Sequence, residues 1–129
     1  MQLLRAVTTL VLGILLAACA LPPPASPGLM DLAERPAEKA LLAGMRAYDD
    51  AQYPQAEQWL TQALQAGLAS PRDRAAAHKQ LAFIYCTSRR VPACEAEFRA
   101  ARADDPGFAL SKSEAGHPLW GPVWQRVRQ

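Results

Sequence analysis

Two stretches of the sequence, AGMRAYDDAQYPQAEQWLTQA at residues 43–63 and LAFIYCTSRRVPACEAEFRAA at residues 81–101, decide the fold because they repeat one pattern. Small residues on two adjacent helices allow the helices to approach closely, and one larger side chain fills the groove that remains. Self-similarity at a fixed period predicts a helical repeat. The repeated residues are Gly44, Ala56, Leu60 and Ala63, which recur 38 positions later as Ala82, Cys94, Phe98 and Ala101.

Helix signals surround both stretches. Prolines suit the first turn of a helix, and Gly67 suits the residue that follows one. Ser70 and Asp73 resemble an N-cap and its capping-box acid. Apolar residues recur with the spacing of a helix face, and no useful length of the chain alternates with period two. We therefore predict an all-α fold whose four main helices cover residues 36–50, 54–66, 71–87 and 91–103.

The C-terminal residues carry two tryptophans at helical spacing, Trp120 and Trp124. Pro122 suits the first turn of a short helix that would cover the open end of the second repeat. The alternative is an exposed aromatic hook for a partner. We favour the cap, because leaving two tryptophans in water forgoes several kcal/mol of burial. The other apolar residues expected in this cap are Phe108, Leu110, Leu119, Val123 and Val127.

The repeat resembles the tetratricopeptide repeat, a pair of antiparallel helices with a unit of 34 residues. The four extra residues of this chain would lie within residues 66–70. Ala40 and His78 stand where the motif has an early tryptophan, and a plain four-helix bundle is the alternative fold. The resemblance implies a repeat domain over residues 36–108, and the C-terminal tryptophans indicate a capping segment over residues 109–129. Its second unit is carried by Leu81, Ala82, Tyr85, Cys94, Phe98, Ala101 and Pro106.

The N-terminal residues predict export and anchoring. Residues 1–18 have the short basic start and apolar run of a signal peptide, with too few apolar residues to span a bilayer. They end in Leu16-Ala17-Ala18-Cys19, which resembles the lipobox of bacterial lipoproteins and implies a lipidated Cys19. Ala20 favours the outer membrane, with the domain facing the periplasm. Residues 19–35 then form a proline-rich tether. The alternative is an ordinary secretory signal with an incidental cysteine.

Composition limits the classes of function. The chain has 129 residues, enough for one small domain, and 14 Lys or Arg against 12 Asp or Glu. This balance argues against a nucleic-acid-binding protein and against a polybasic membrane-binding patch. Both histidines have simple structural explanations, His78 as a partly buried side chain and His117 as part of a turn. We expect no catalytic residues, metal site, cofactor or small-molecule substrate.

Cys86 and Cys94 are the cysteines that remain if Cys19 is lipidated. They lie near the end of one predicted helix and the start of the next, in a compartment that permits disulfides. We predict that they are bonded. Two buried thiols are the alternative, because the offset along the helix pair could keep the Cα atoms too far apart.

Residues 105–123, and GHPLWGP at 116–122 above all, resemble small lipoproteins associated with type VI secretion. This resemblance implies an accessory role in secretion or envelope assembly. We expect an adaptor that binds another protein. The alternative is an inhibitor or immunity-type lipoprotein that blocks a toxin or hydrolase, and a small hydrolase is a third, weaker hypothesis. If the repeat fold holds, its first helices would line the binding groove with Leu41, Met45, Tyr48, Lys79 and Phe83.

Overall fold

A computed structural model of the chain describes residues 25–26 and 28–129. The predicted signal peptide, Cys19 and most of the proline run lie outside the described residues. Within the described part, every regular element is a helix, which confirms the predicted all-α class. The helices are α1 (Leu29–Ala33), α2 (Pro36–Asp49), α3 (Tyr53–Ala66), α4 (Pro71–Thr87), α5 (Val91–Asp104), α6 (Lys112–Ala115) and α7 (Gly121–Val127).

The four long helices form two pairs, α2 with α3 and α4 with α5. Their starts agree with the sequence signals, since each has a proline in its first turn. The Ser70 hydroxyl caps α4 by accepting a hydrogen bond from the Asp73 amide at 3.3 Å. The boundaries differ slightly from prediction, because α3 begins at Tyr53 and α5 includes Asp104.

The turns inside the two pairs are alike. Ala51 and Arg89, which are 38 residues apart, both have a positive φ, at 58° and 63°. In each turn the next amide donates to a carbonyl of the preceding helix at 2.8 Å, from Gln52 to Ala47 and from Arg90 to Tyr85. The sequence repeat is therefore also a repeat of backbone structure, and it includes turn residues that the apolar pattern does not mark.

All eight repeated positions are buried, as the packing hypothesis expects. A Cβ atom placed on Gly44 would lie 2.8 Å from Cγ of Leu60, which explains why the smallest residue stands there. Close approach of α2 and α3 thus depends on Gly44. The other seven side chains have no exposed surface: Ala56, Leu60, Ala63, Ala82, Cys94, Phe98 and Ala101.

Two hydrophobic clusters meet along α4. One lies between the two helix pairs, and the other lies between the second pair and the C-terminal segment. Tyr48 and Tyr85 contact both clusters. Arg90 ties the pairs together by donating two hydrogen bonds to Glu57, at 2.8 and 2.7 Å, while its guanidinium lies over the Tyr85 ring. The hydrogen bond from Arg90 lowers the pKa of Glu57.

Helix α7 packs against α5 and covers the open end of the second pair. Trp124 is 4% exposed, and its ring centroid lies 5.5 Å from those of Phe98 and Phe108. The predicted C-terminal helix is therefore present and buries Trp124. The prediction for Leu119 is wrong, since this side chain is 53% exposed at the turn before α7.

Two short helices were not predicted. Helix α1 lies in the segment that the sequence assigned to the tether. Helix α6 is preceded by the N-cap residue Ser111 and has a capping box, in which Ser111 and Glu114 accept hydrogen bonds from each other's amide groups. Gly121 is required after it, because a Cβ atom there would lie 2.6 Å from the Ala115 carbonyl oxygen.

Candidate functional surface

The five residues predicted to line a groove are not equally accessible. Leu41 and Phe83 are 6% and 5% exposed, so they belong to the interior of the domain. Met45 is 37% exposed, and Tyr48 and Lys79 are partly buried. The surface that these residues form on the first helices of the two pairs is called here the α2–α4 face. A partner could contact it through Met45, Tyr48 and Lys79.

The C-terminal segment, residues 109–129, covers the α4 side of this face. The Phe83 ring stacks on Trp120, with centroids 4.1 Å apart. Nε1 of Trp120 donates a hydrogen bond to the Glu114 carbonyl at 2.8 Å. The His117 ring also stacks on the Trp120 indole. The prediction that Phe83 lines an open binding groove is therefore wrong, because the chain's own C-terminal segment packs on the Phe83 ring.

Glu114 holds α6 against the α2–α4 face. Its carboxylate accepts hydrogen bonds from Lys79 Nζ at 2.7 Å and from the Ser111 amide at 2.9 Å. Burial alone would raise the pKa of Glu114, but the hydrogen bonds from Lys79 and Ser111 outweigh burial and lower it. Glu114 is therefore ionised at neutral pH and keeps its ion pair with Lys79.

Tyr48 lies at the edge of the same contact. Its ring packs edge-on against Tyr53, with centroids 5.5 Å apart. Burial raises the pKa of Tyr48, and the neighbouring Tyr53, Asp49 and Glu114 raise it further. Tyr48 thus presents a neutral hydroxyl beside the Glu114–Lys79 pair, an arrangement suited to hydrogen bonding and aromatic packing with a peptide or protein.

His78 lies on the other side of α4, among charged groups of α5. Its Nδ1 is 2.5 Å from Glu97 Oε2, and its Nε2 is 3.3 Å from Asp104 Oδ2. Arg74 donates from Nε to the second oxygen of Asp104 at 2.7 Å. The imidazole ring thus lies between two carboxylates, one beside each ring nitrogen. The cluster therefore links α4 to α5 through charge, and His78 is the partly buried, satisfied side chain that was expected.

Sequence reasoning missed the partners of these side chains. The sequence analysis did not single out Glu97 and Asp104 as partners of His78. These contacts join residues 19 to 35 positions apart, so no local pattern marks them. Glu114 did have a readable signal, because Ser111-x-x-Glu114 is a capping-box sequence.

The sulfur atoms of Cys86 and Cys94 lie at disulfide distance, with Cα atoms 5.2 Å apart. The offset along the helix pair therefore does not separate them. Cys94 occupies a fully buried packing position and Cys86 is 4% exposed, so both sulfurs are shielded from water.

We predict that Cys86 and Cys94 are oxidised together when the chain is exported. Closing so short a loop should stabilise the domain by about 2–3 kcal/mol, because the unfolded chain loses conformational freedom. Alkylation under non-reducing conditions followed by mass spectrometry should find neither thiol free. Recovery of both cysteines in alkylated form from periplasmically expressed protein would contradict the prediction.

Among residues 28–129, no group of three or more His, Cys, Asp and Glu side chains is arranged to hold a metal ion. No helix in the described part is long and apolar enough to cross a membrane. Comparisons of the chain with protein-family models, with curated proteins and with solved structures found no significant match. The class that the structure itself defines is an all-helical domain of two stacked helix pairs closed by a C-terminal segment.

Proposed function

We propose that the chain is a lipid-anchored adaptor of the tetratricopeptide type, held in the outer membrane by Cys19 and facing the periplasm. Its role would be to bind another protein within a secretion or envelope assembly, of which type VI secretion is the one its C-terminal motif resembles. The adaptor has no catalytic function in this proposal, and it uses no cofactor.

The observation that carries the proposal is the equivalence of the two helix pairs. Helix α2 with α3 and helix α4 with α5 share buried small residues, a large central side chain and the same turn. Stacked pairs of this kind place their first helices side by side, and repeat proteins use that surface to bind partners.

The proposed binding site is the exposed part of the α2–α4 face. Tyr48 supplies an aromatic surface with a polar end, and Lys79 supplies a cation that is 27% exposed at its side chain. Met45 adds a flexible apolar side chain of the kind that adapts to varied partners. The buried Leu41 and Phe83 would support this surface from beneath.

The test is capture of partners from crosslinked envelopes that contain the tagged full-length chain. We expect Tyr48→Ala and Lys79→Ala each to reduce partner recovery by about tenfold, as truncating a central interface residue does. Quantitative mass spectrometry should then show the same partner lost from both variants. Losing the partly buried Lys79–Glu114 pair should cost about 1 kcal/mol of stability. Because Tyr48 also packs against both hydrophobic clusters, a thermal unfolding curve of each variant must show that it is folded at the temperature of the capture.

Gln58→Ala and Gln62→Ala are the matched controls, because both residues are exposed on α3, away from the α2–α4 face. They should leave recovery unchanged. Structural subunits of a secretion system among the captured proteins support the adaptor, whereas one soluble toxin or hydrolase supports the inhibitor instead. Equal recovery with all four variants would contradict binding through this face.

A further inference from the structure

The two most exposed large apolar side chains of the described residues are neighbours on α1, whereas other exposed ones, such as Leu119 and Tyr53, lie elsewhere on the domain. Leu29 and Met30 on α1 are 82% and 74% exposed, and Leu42 on α2 is 41% exposed. Leu29 and Leu42 line one depression of about 220 Å³, with Leu32 at its wall. Exposing two large apolar residues on a five-residue helix is unfavourable in water, so this end of the domain is suited to an apolar environment.

Side chains of both charges flank the apolar residues: Asp31 is exposed on α1, and Glu38 and Asp73 line the depression, but the outer stripe of α2 is basic. Lys39 and Arg46 are exposed on α2, and they share one stripe with Leu42 because their spacing is i, i+3 and i+7. Apolar residues beside basic ones are the combination found on helices that lie at the surface of anionic membranes. Oε2 of Glu34 is 3.9 Å from Nζ of Lys39 and partly neutralises the charge of that lysine. Arg46 therefore contributes more than Lys39 to the attraction of this stripe for an anionic surface.

The position of these residues in the chain connects them to a bilayer. Gly28 is nine positions after Cys19 in the sequence, and a chain of that length reaches at most about 30 Å. If Cys19 carries the lipid anchor of the proposed function, α1 is the first folded element next to the membrane. The anchor would hold Leu29 and Met30 within reach of the lipid at all times, so even weak binding would be effective.

We infer that α1 and the outer stripe of α2 form a bilayer-docking face. In the docked state Leu29, Met30 and Leu42 enter the interface between headgroups and acyl chains, and Arg46 contacts lipid phosphates. Docking holds the domain in one orientation, with Met45 at the boundary between the docking face and the α2–α4 face, because Met45 lines the same depression as Leu29 and Leu42. This inference rests on the lipid anchor proposed at Cys19, and it adds how the anchored domain is oriented on the membrane.

The test places the photoreactive residue benzoylphenylalanine at position 30 or position 42 of the full-length chain, with position 119 as the control. Leu119 is similarly exposed but lies in the C-terminal segment. Each protein is purified from membranes, reconstituted into vesicles of phosphatidylethanolamine and phosphatidylglycerol, and irradiated. We expect phospholipid adducts at positions 30 and 42, detected by mass spectrometry, and none above background at position 119.

A charge variant tests the electrostatic part of the inference. Arg46→Glu should lower the adduct yield at position 30 by at least about fivefold, the factor that one basic side chain near an anionic surface contributes. Arg99→Glu, at an exposed position of α5 that does not line this depression, should leave the yield unchanged. Vesicles of phosphatidylcholine alone should also give less adduct than the anionic vesicles.

Outcomes for the anchor and for the docking face are distinguishable. The same mass spectra report whether Cys19 carries acyl chains, so a chain without them contradicts the anchor independently. Adducts to protein in place of phospholipid at positions 30 and 42 would show that a partner or a second copy covers α1, and would overturn the docking face. Absence of phospholipid adducts at both positions overturns it as well, whatever the state of Cys19.

Discussion

Trp124→Ala should cost the domain about 3–5 kcal/mol of unfolding free energy, one of the two largest effects we expect. The indole is 4% exposed and packs between Phe98 of α5 and Phe108 of the C-terminal segment. Its removal leaves a cavity at the junction of α5 and α7 that two aromatic rings cannot close. Urea unfolding of residues 25–129, followed by circular dichroism, measures the change.

Leu119→Ala is the control for this substitution, because Leu119 belongs to the same segment but is 53% exposed. It should change the free energy of unfolding by less than about 0.5 kcal/mol. Trp120→Ala should lower the free energy of unfolding by an amount between those of Leu119→Ala and Trp124→Ala, since Trp120 is partly buried and stacks on Phe83. A loss below about 1 kcal/mol for Trp124→Ala would show that α7 is not part of the folded core.

Phe98→Ala should have an effect of similar size, about 3–5 kcal/mol. Phe98 has no exposed surface and contacts both Phe83 and Trp124, so it joins α5 to α4 and to α7. The equivalent substitution in the first pair, Leu60→Ala, should cost about 2–5 kcal/mol, because Leu60 is also fully buried and fills the space beside Gly44.

The comparison of Phe98→Ala with Leu60→Ala tests the internal repeat as well as the packing. If the pairs are equivalent and cooperate, each variant should unfold in one transition at a lower urea concentration. Phe98→Leu is the matched variant, since it keeps an apolar side chain of the size found in the first pair, and it should recover much of the lost stability. Two separate transitions for either alanine variant would contradict a single cooperative domain.

The sequence was sufficient to predict the four long helices because their signals are local. Proline in the first turn and apolar residues at helical spacing fixed their positions to within one or two residues, as Pro36 and Pro71 illustrate. The 38-residue repeat further indicated which faces meet. Burial of Gly44 against Leu60 follows directly from that pattern.

The path of the C-terminal segment could not be predicted in the same way. The fold-back that stacks Trp120 on Phe83 and pairs Glu114 with Lys79 depends on contacts between distant parts of the sequence. Helices α1 and α6 are too short to show a hydrophobic period. For these reasons Phe83 was assigned to an open groove, although the C-terminal segment covers it.

The most direct test of the account is the intact mass of the full-length protein purified from the outer-membrane fraction. We expect a mature chain that begins at Cys19 and carries a diacylglyceryl group and one further acyl chain. Globomycin, which blocks lipoprotein signal cleavage, should cause a larger precursor to accumulate, and Cys19→Ser should prevent acylation. An unacylated chain in the soluble periplasmic fraction, or outer-membrane recovery unchanged by Cys19→Ser, would contradict the anchored adaptor.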